Sequence, residues 1–323
     1  MQRRHLFALS ALALSAATSS ALAQGYPSKV VKLQIPFAPG GTTDIIGRVI
    51  AEPLGKALGQ VVVIENKAGG GGVIGATETA RATPDGYSLG MATVSTTAAN
   101  PAINPKIPYN PLTDFTPIIN IAATPNIIAV HPSFPARNYK EFVAELKKNP
   151  GKYSFASSGS GSIAHLQMEL YKNLSGTFIT HIPYRGAGPA LQGLIAGDVE
   201  MMFDGLGSSA NHIKGGRIKA LMVAGPKRNP AFPDVPCAGE LGLPDYTVTT
   251  WYGIWAPKGT PADLQTRIVE EVRKACLSDE AKTIWAQQGA EFGNLTPQQF
   301  GSFVSAEIQR WATVVKASGA KLD

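Results

Sequence analysis

Charge is the first thing this sequence is short of: Asp, Glu, Lys and Arg make up 16% of its 323 residues, against about 25% in an average soluble domain. Its surface is therefore lightly charged. The net charge of +6 is scattered, with no long run of Lys and Arg, which argues against a nucleic-acid partner. Cysteine is scarce as well. The only two, Cys237 and Cys276, exclude a small fold framed by disulfides. Past residue 23 no stretch reaches the roughly 18 uninterrupted apolar residues of a membrane span. His131, His165, His181 and His212 show neither HxxxH nor HExxH spacing, so no metal and no cofactor is expected.

What is present describes a shaped globular chain. Apolar residues reach 44%, and the length suits two domains or one large one. The 34 glycines and 24 prolines follow no period, which implies many turns rather than collagen or disorder. The chain opens with a cationic Gln2-Arg3-Arg4-His5, an apolar run over 6–17 and the small residues Ala21-Leu22-Ala23. That is the pattern of an export leader, with cleavage expected after about Ala23 and the mature chain in the periplasm. An oxidising compartment favours pairing of Cys237 with Cys276, while two buried thiols are the alternative.

Hydrophobic periodicity then predicts strands and helices in alternation. A strand over 30–37 ends at Ala38-Pro39-Gly40-Gly41-Thr42-Thr43-Asp44, before an amphipathic helix through Ile45, Val49, Ile50 and Leu54. Strands over 61–65 and 88–94 follow, the first leading through Ala68 to Gly72 into a helix, the second ending at Ser95-Thr96-Thr97. The same grammar returns with strands over 153–156, 178–183, 201–203 and 218–223, and helices over 139–148, 163–174 and 190–196. Apolar segments at 118–130 and 246–256 flank this middle unit and read as crossings between lobes, and a helical tail closes the chain. The expectation is an α/β protein of two lobes, each a mixed sheet flanked by helices. Residues 24–124 begin the first lobe, 125–247 form the second, and 248–323 return to the first.

The loops at strand ends suggest anion capture by backbone. A helix start carries amide groups without intrahelical partners and a positive dipole end. From the first lobe the candidate ligand contacts are Phe37, Pro39, Gly40, Gly41, Thr42, Asp44, Gly70, Gly71, Ser95 and Thr96. From the second they are Ser158, Gly159, Ser162, His165, Tyr184, Arg185, Gly186, Ala187 and Asp204. Several have a second reading. Asp44 can cap its helix, Arg185 can brace its loop, and His165 can be packed and neutral. Asp204 suits an ammonium or hydroxyl group, and Trp251 and Tyr252 either line the cleft or pack the hinge. Thr93 is a further hydroxyl candidate. Gly70-x-Gly72-x-x-Gly75 matches a dinucleotide fingerprint formally, but three residues separate it from its strand and the acid expected about 20 residues on is missing.

The motifs in order resemble a known family. Tyr26-Pro27-Ser28-Lys29, Pro36-Phe37-Ala38-Pro39-Gly40-Gly41-Thr42-Thr43-Asp44, Val63-Ile64-Glu65-Asn66-Lys67-Ala68-Gly69-Gly70-Gly71-Gly72 and Pro84-Asp85-Gly86-Tyr87 are similar to the Bug solute receptors of tripartite tricarboxylate transporters. Tyr184-Arg185-Gly186, Gly197-Asp198-Val199, Ala256-Pro257-Lys258-Gly259-Thr260-Pro261 and Trp311 continue the likeness, which covers residues 25–319. The resemblance implies a monomeric periplasmic binding protein of type II-like, Venus-flytrap form that closes on a small carboxylate, a dicarboxylate or an aromatic acid. It implies delivery to membrane permease subunits, and a bridge between Cys237 and Cys276. Two other classes compete: an exported hydrolase of small esters using Ser160 or Ser162, and a periplasmic sensor for the same ligand.

Overall fold

The structure, a computed structural model, describes residues 25–244 and 246–322. The leader and its cleavage site lie outside the described residues. β1 (Val31–Ile35) is buried along almost all of its length, as a strand covered on both faces must be. It pairs in parallel with β2 (Val62–Asn66) and β3 (Ser88–Thr93). Helices α1 (Thr42–Leu58) and α2 (Val73–Arg81) supply the crossovers. After β3 the chain enters a π-turn over Ser95–Ala99, continued by the short α3 (Asn100–Ile103).

One long strand then joins the two halves of the molecule. β4 (Phe115–Val130) pairs antiparallel with β9 (Thr249–Pro257) from Phe115 to Pro125, and with β7 (Met201–Gly205) and β8 (Lys219–Ala224) from Asn126 to Val130. Its register shifts twice against β9, between Pro117 and Ile119 and between Asn120 and Ala122, and such irregularities bend a strand and raise its twist. Helix α4 (Tyr139–Lys148), β5 (Ser154–Ser157), helix α5 (Ile163–Ser175), β6 (Thr180–Pro183), helix α6 (Ala187–Ala196) and helix α7 (Leu206–Lys214) complete the second half. β5 lies parallel to both β6 and β7. The full order is β2-β1-β3-β9-β4-β7-β5-β6, with β8 on β4. Of the segments read as crossings, 118–130 lies in β4 and 249–256 in β9.

Three apolar clusters hold these layers. Val31, Leu33 and Ile35 pack with Ile46, Ile50 and Leu54 of α1 and with Ile268 and Val272 of α8 (Ala262–Cys276). Ile127, Ala129, Leu191, Leu194 and Met202 form the core of the second half. The third cluster spans both halves through Phe155, Tyr171, Trp251, Trp255, Phe300 and Trp311. After α9 (Asp279–Gln288), helix α10 (Pro297–Ser318) packs against the π-turn, β4 and α5 alike. It starts at a capping box between Thr296 and Gln299. The buried Glu307 accepts from the indole N–H groups of Trp251 at 3.0 Å and Trp311 at 3.3 Å.

The expected disulfide is not formed in the structure. Cys237 precedes a short 3-10 turn and its Sγ donates to the carbonyl of Pro226 at 3.4 Å. Cys276 ends α8 inside the core of the first sheet, where burial pushes its thiol up to about 12. Both are free and buried.

Candidate functional site

Four helix starts converge on one cavity where the two halves of the molecule meet. α1 begins after Gly41, α6 after Gly186 and α7 after Gly205, and none of these three has a side-chain cap. α5 begins after Ser162, whose hydroxyl accepts from the amide of His165 at 3.4 Å. Uncapped first turns leave N–H groups and a positive dipole end aimed outward. The cavity they line measures about 50 Å³.

Of the residues expected from sequence, Phe37, Gly41, Thr42, Ser95, Ser158, Ala187 and Asp204 line this cavity, together with Thr93 and Tyr252. Asp204 ends β7 and is fully buried. Its Oδ2 accepts from the hydroxyls of Ser208 and Ser209, each at 2.6 Å. Burial raises its pKa to about 6 against the partial relief of those bonds. Among the described residues no Lys, Arg or His lines the cavity. Its polar surface consists of hydroxyls, amides and one carboxyl.

The rest of the expected set closes the seam around the cavity or braces its loops. Across the seam Ala38 N donates to the Arg185 carbonyl at 3.2 Å, while the Arg185 side chain is exposed. A Cβ on Gly41 would stand 3.1 Å from Ala187 Cβ and 3.3 Å from Gly188 N, and one on Gly188 would collide with the Pro39 carbonyl, so the two loops pack closest at these two glycines. Gly71, at φ +62°, meets Ser160 and Ser162 backbone in a second seam beside Gly159, and Asn100 Nδ2 donates to the Gly71 carbonyl at 2.8 Å. Thr42 Oγ1 bridges the halves: it lies 2.8 Å from Ser208 Oγ, accepts from Ser208 N at 3.0 Å and donates to the Gly205 carbonyl at 3.3 Å. From the other direction Ser95 Oγ accepts from Ile163 N at 3.0 Å.

Asp44 is a brace. It accepts from Gly40 N at 3.0 Å, Arg48 Nε at 3.0 Å and Asn66 Nδ2 at 2.9 Å. Burial pushes its carboxyl up, but these bonds outweigh it and hold the group below the usual carboxylate range. Gly70 opens the turn before α2. Thr96 is bonded into the π-turn through Thr93 Oγ1 at 3.2 Å and Tyr109 at 2.6 Å. His165 sits behind the serine loop, accepting from Gly161 N at 3.2 Å and stacked on His181 at 4.1 Å. Tyr184 packs at the end of β6, against Gly193 of α6. Neither Ser160 nor Ser162 lines the cavity.

Sequence reasoning missed Thr43, Asn126, Ile163, Ala164, Gln167, Met202, Phe203, Gly205 and Thr250, all at the cavity. Two had a signal. Asn126 is polar within the apolar stretch 118–130, and Gln167 falls one helical turn after Ile163, on the same face.

Comparison with known proteins adds the lineage. Residues 46–320 match the family described as tripartite tricarboxylate transporter family receptor. The periplasmic binding protein BugD superposes with a TM-score of 0.89 at 34% identity, covering 92% of this chain and 99% of its own. MatC of Rhodopseudomonas palustris, solved with bound malate, gives 0.86 at 34% identity, covering 90% and 100%. A second R. palustris protein, solved with adipate, gives 0.88 at 35%, covering 92% and 99%. The fold is accordingly that of the two-lobed α/β periplasmic binding proteins.

Proposed function

This chain belongs to the tripartite tricarboxylate transporter receptor family, and from that premise we propose that it is an extracytoplasmic receptor. It captures a small carboxylate, a dicarboxylate or an aromatic acid, between two lobes and delivers it to membrane permease subunits. Residues 24–124 and most of 248–323 form one lobe and 125–247 the other, acting as a monomer in the periplasm after removal of the leader.

The observation that carries this reading is the convergence of helix starts, those of α1 and α6 without any side-chain cap, on a cavity without a lining cation. Main-chain amides and the hydroxyls of Ser95 and Ser158 suit an anion whose charge is spread over two oxygens. Malate and adipate in relatives of this fold support the ligand class. The cavity of about 50 Å³ is small beside the ~300–1,000 Å³ usual for ligand pockets. Admission of a ligand therefore requires the lobes to part, and contacts made by both lobes then favour closure.

Thermal melting and small-angle scattering across a panel of di- and aromatic carboxylates test this. A matching acid at 100-fold its Kd should stabilise the protein by about 2.7 kcal/mol and shrink its radius of gyration. Gly41→Leu should keep the fold and lose both responses, because the added side chain meets Ala187 and Gly188. A panel that produces neither response sinks the reading.

A further inference from the structure

Most polar side chains around the cavity are bonded to the protein. Asn126 donates to the Val248 carbonyl at 3.2 Å and to Thr250 Oγ1 at 2.8 Å, and its Oδ1 accepts from Thr250 at 3.0 Å. Asp204 holds two serines, and Thr42 is engaged with Ser208 and Gly205. Gln167 differs. It lines the cavity from the first turns of α5 and is 0% exposed, yet neither Nε2 nor Oε1 has a hydrogen-bond partner. Its backbone carbonyl is occupied by the Tyr246 hydroxyl at 3.0 Å, so the side-chain amide alone is unmatched. A buried amide left unpaired opposes folding, and an apolar residue of the same length would pack there without that penalty.

We infer that Gln167 is the specificity-determining residue of this cavity and reads a ligand that presents a hydrogen-bond donor next to an acceptor, as an α-hydroxycarboxylate or a carboxamide does. The inference rests on the carboxylate-capture reading and sharpens it. An amide offers a donor and an acceptor side by side. An α-hydroxy acid satisfies both, its hydroxyl donating to Oε1 and its carboxylate accepting from Nε2. A bare carboxylate has only acceptors and leaves Oε1 unmatched.

Calorimetric titration of the purified protein with succinate, malate and succinamate tests the assignment, alongside Gln167→Met. Malate or succinamate should bind about 10-fold more tightly than succinate, the scale of one neutral hydrogen bond, and in Gln167→Met this preference should fall to about 2-fold or less. Melting of the ligand-free proteins gives an independent arm: Gln167→Met should raise the melting temperature, since it removes the unmatched amide. Equal binding of the three acids, a preference that survives in Gln167→Met, or a lowered melting temperature in that variant overturns the inference and leaves carboxylate capture standing. If no acid in this and the wider panel binds the wild-type protein, both readings fall together.

Discussion

A carboxyl buried without a cation makes the protein's stability depend on pH in an uncommon direction. Asp204 in the fold titrates near 6, well above the 3.8 of a free carboxyl, so the folded chain holds that proton more tightly than the unfolded one. Its stabilising contribution is present below about pH 4 and is lost as pH rises through 6. The gap of about two pH units corresponds to roughly 3 kcal/mol. Asp204→Asn keeps an oxygen for Ser208 and Ser209 and removes the charge. Denaturant midpoints should show the variant more stable than wild type at pH 7, with the difference shrinking toward pH 4; a constant difference contradicts the assignment. Asp44 pulls the other way, since its bonds to Arg48, Gly40 and Asn66 weaken as it is protonated. Residue type and order mark both acids as candidates, but only their surroundings separate a loop brace from a cavity wall. Asp44 has three donors in reach and Asp204 has a pair of serines.

Helix α10 shows the same separation at the scale of an element. Its amphipathic pattern, Pro297 start and Thr296–Gln299 capping box can be read from sequence, whereas the partners of Glu307 cannot. Two indole N–H groups, from Trp251 on β9 and Trp311 on α10, share its Oε2. Glu307→Ala leaves both indoles buried and unpaired, a loss of about 2–4 kcal/mol. Glu307→Gln retains an acceptor oxygen and should recover part of that loss. Because Glu307 does not line the cavity, ligand affinity measured well below the melting temperature should stay within about 2-fold of wild type, and a larger change would tie α10 to binding. β4 teaches a related lesson. Its composition announces a long apolar strand, but the change of partners at Asn126, from β9 to β7 and β8, belongs to the sheet.

Across the whole molecule, the proposed function depends on which loop ends the two halves bring together. Thr42 Oγ1 reaches Ser208, 166 positions away in the chain, and through Ser208 it is coupled to Asp204. Thr42→Val removes this link with little change of volume and should favour the parted lobes. Ligand affinity should fall by about 10-fold and the ligand-free radius of gyration should rise; an unchanged affinity would mean that Thr42 is a bystander. Alternation of strand and helix, the strand-end placement of glycine and serine loops, and the helical tail are local properties, carried by periodicity and by turn residues, and the chain order alone settled them. The three-dimensional packing settled the rest: that Phe37, Gly41 and Asp204 line one cavity while Asp44 and Arg185 do not, that Cys237 and Cys276 stay free, and that Gln167 faces the cavity unmatched. Those outcomes hang on contacts between segments far apart in sequence, whose distances and burial no local pattern encodes.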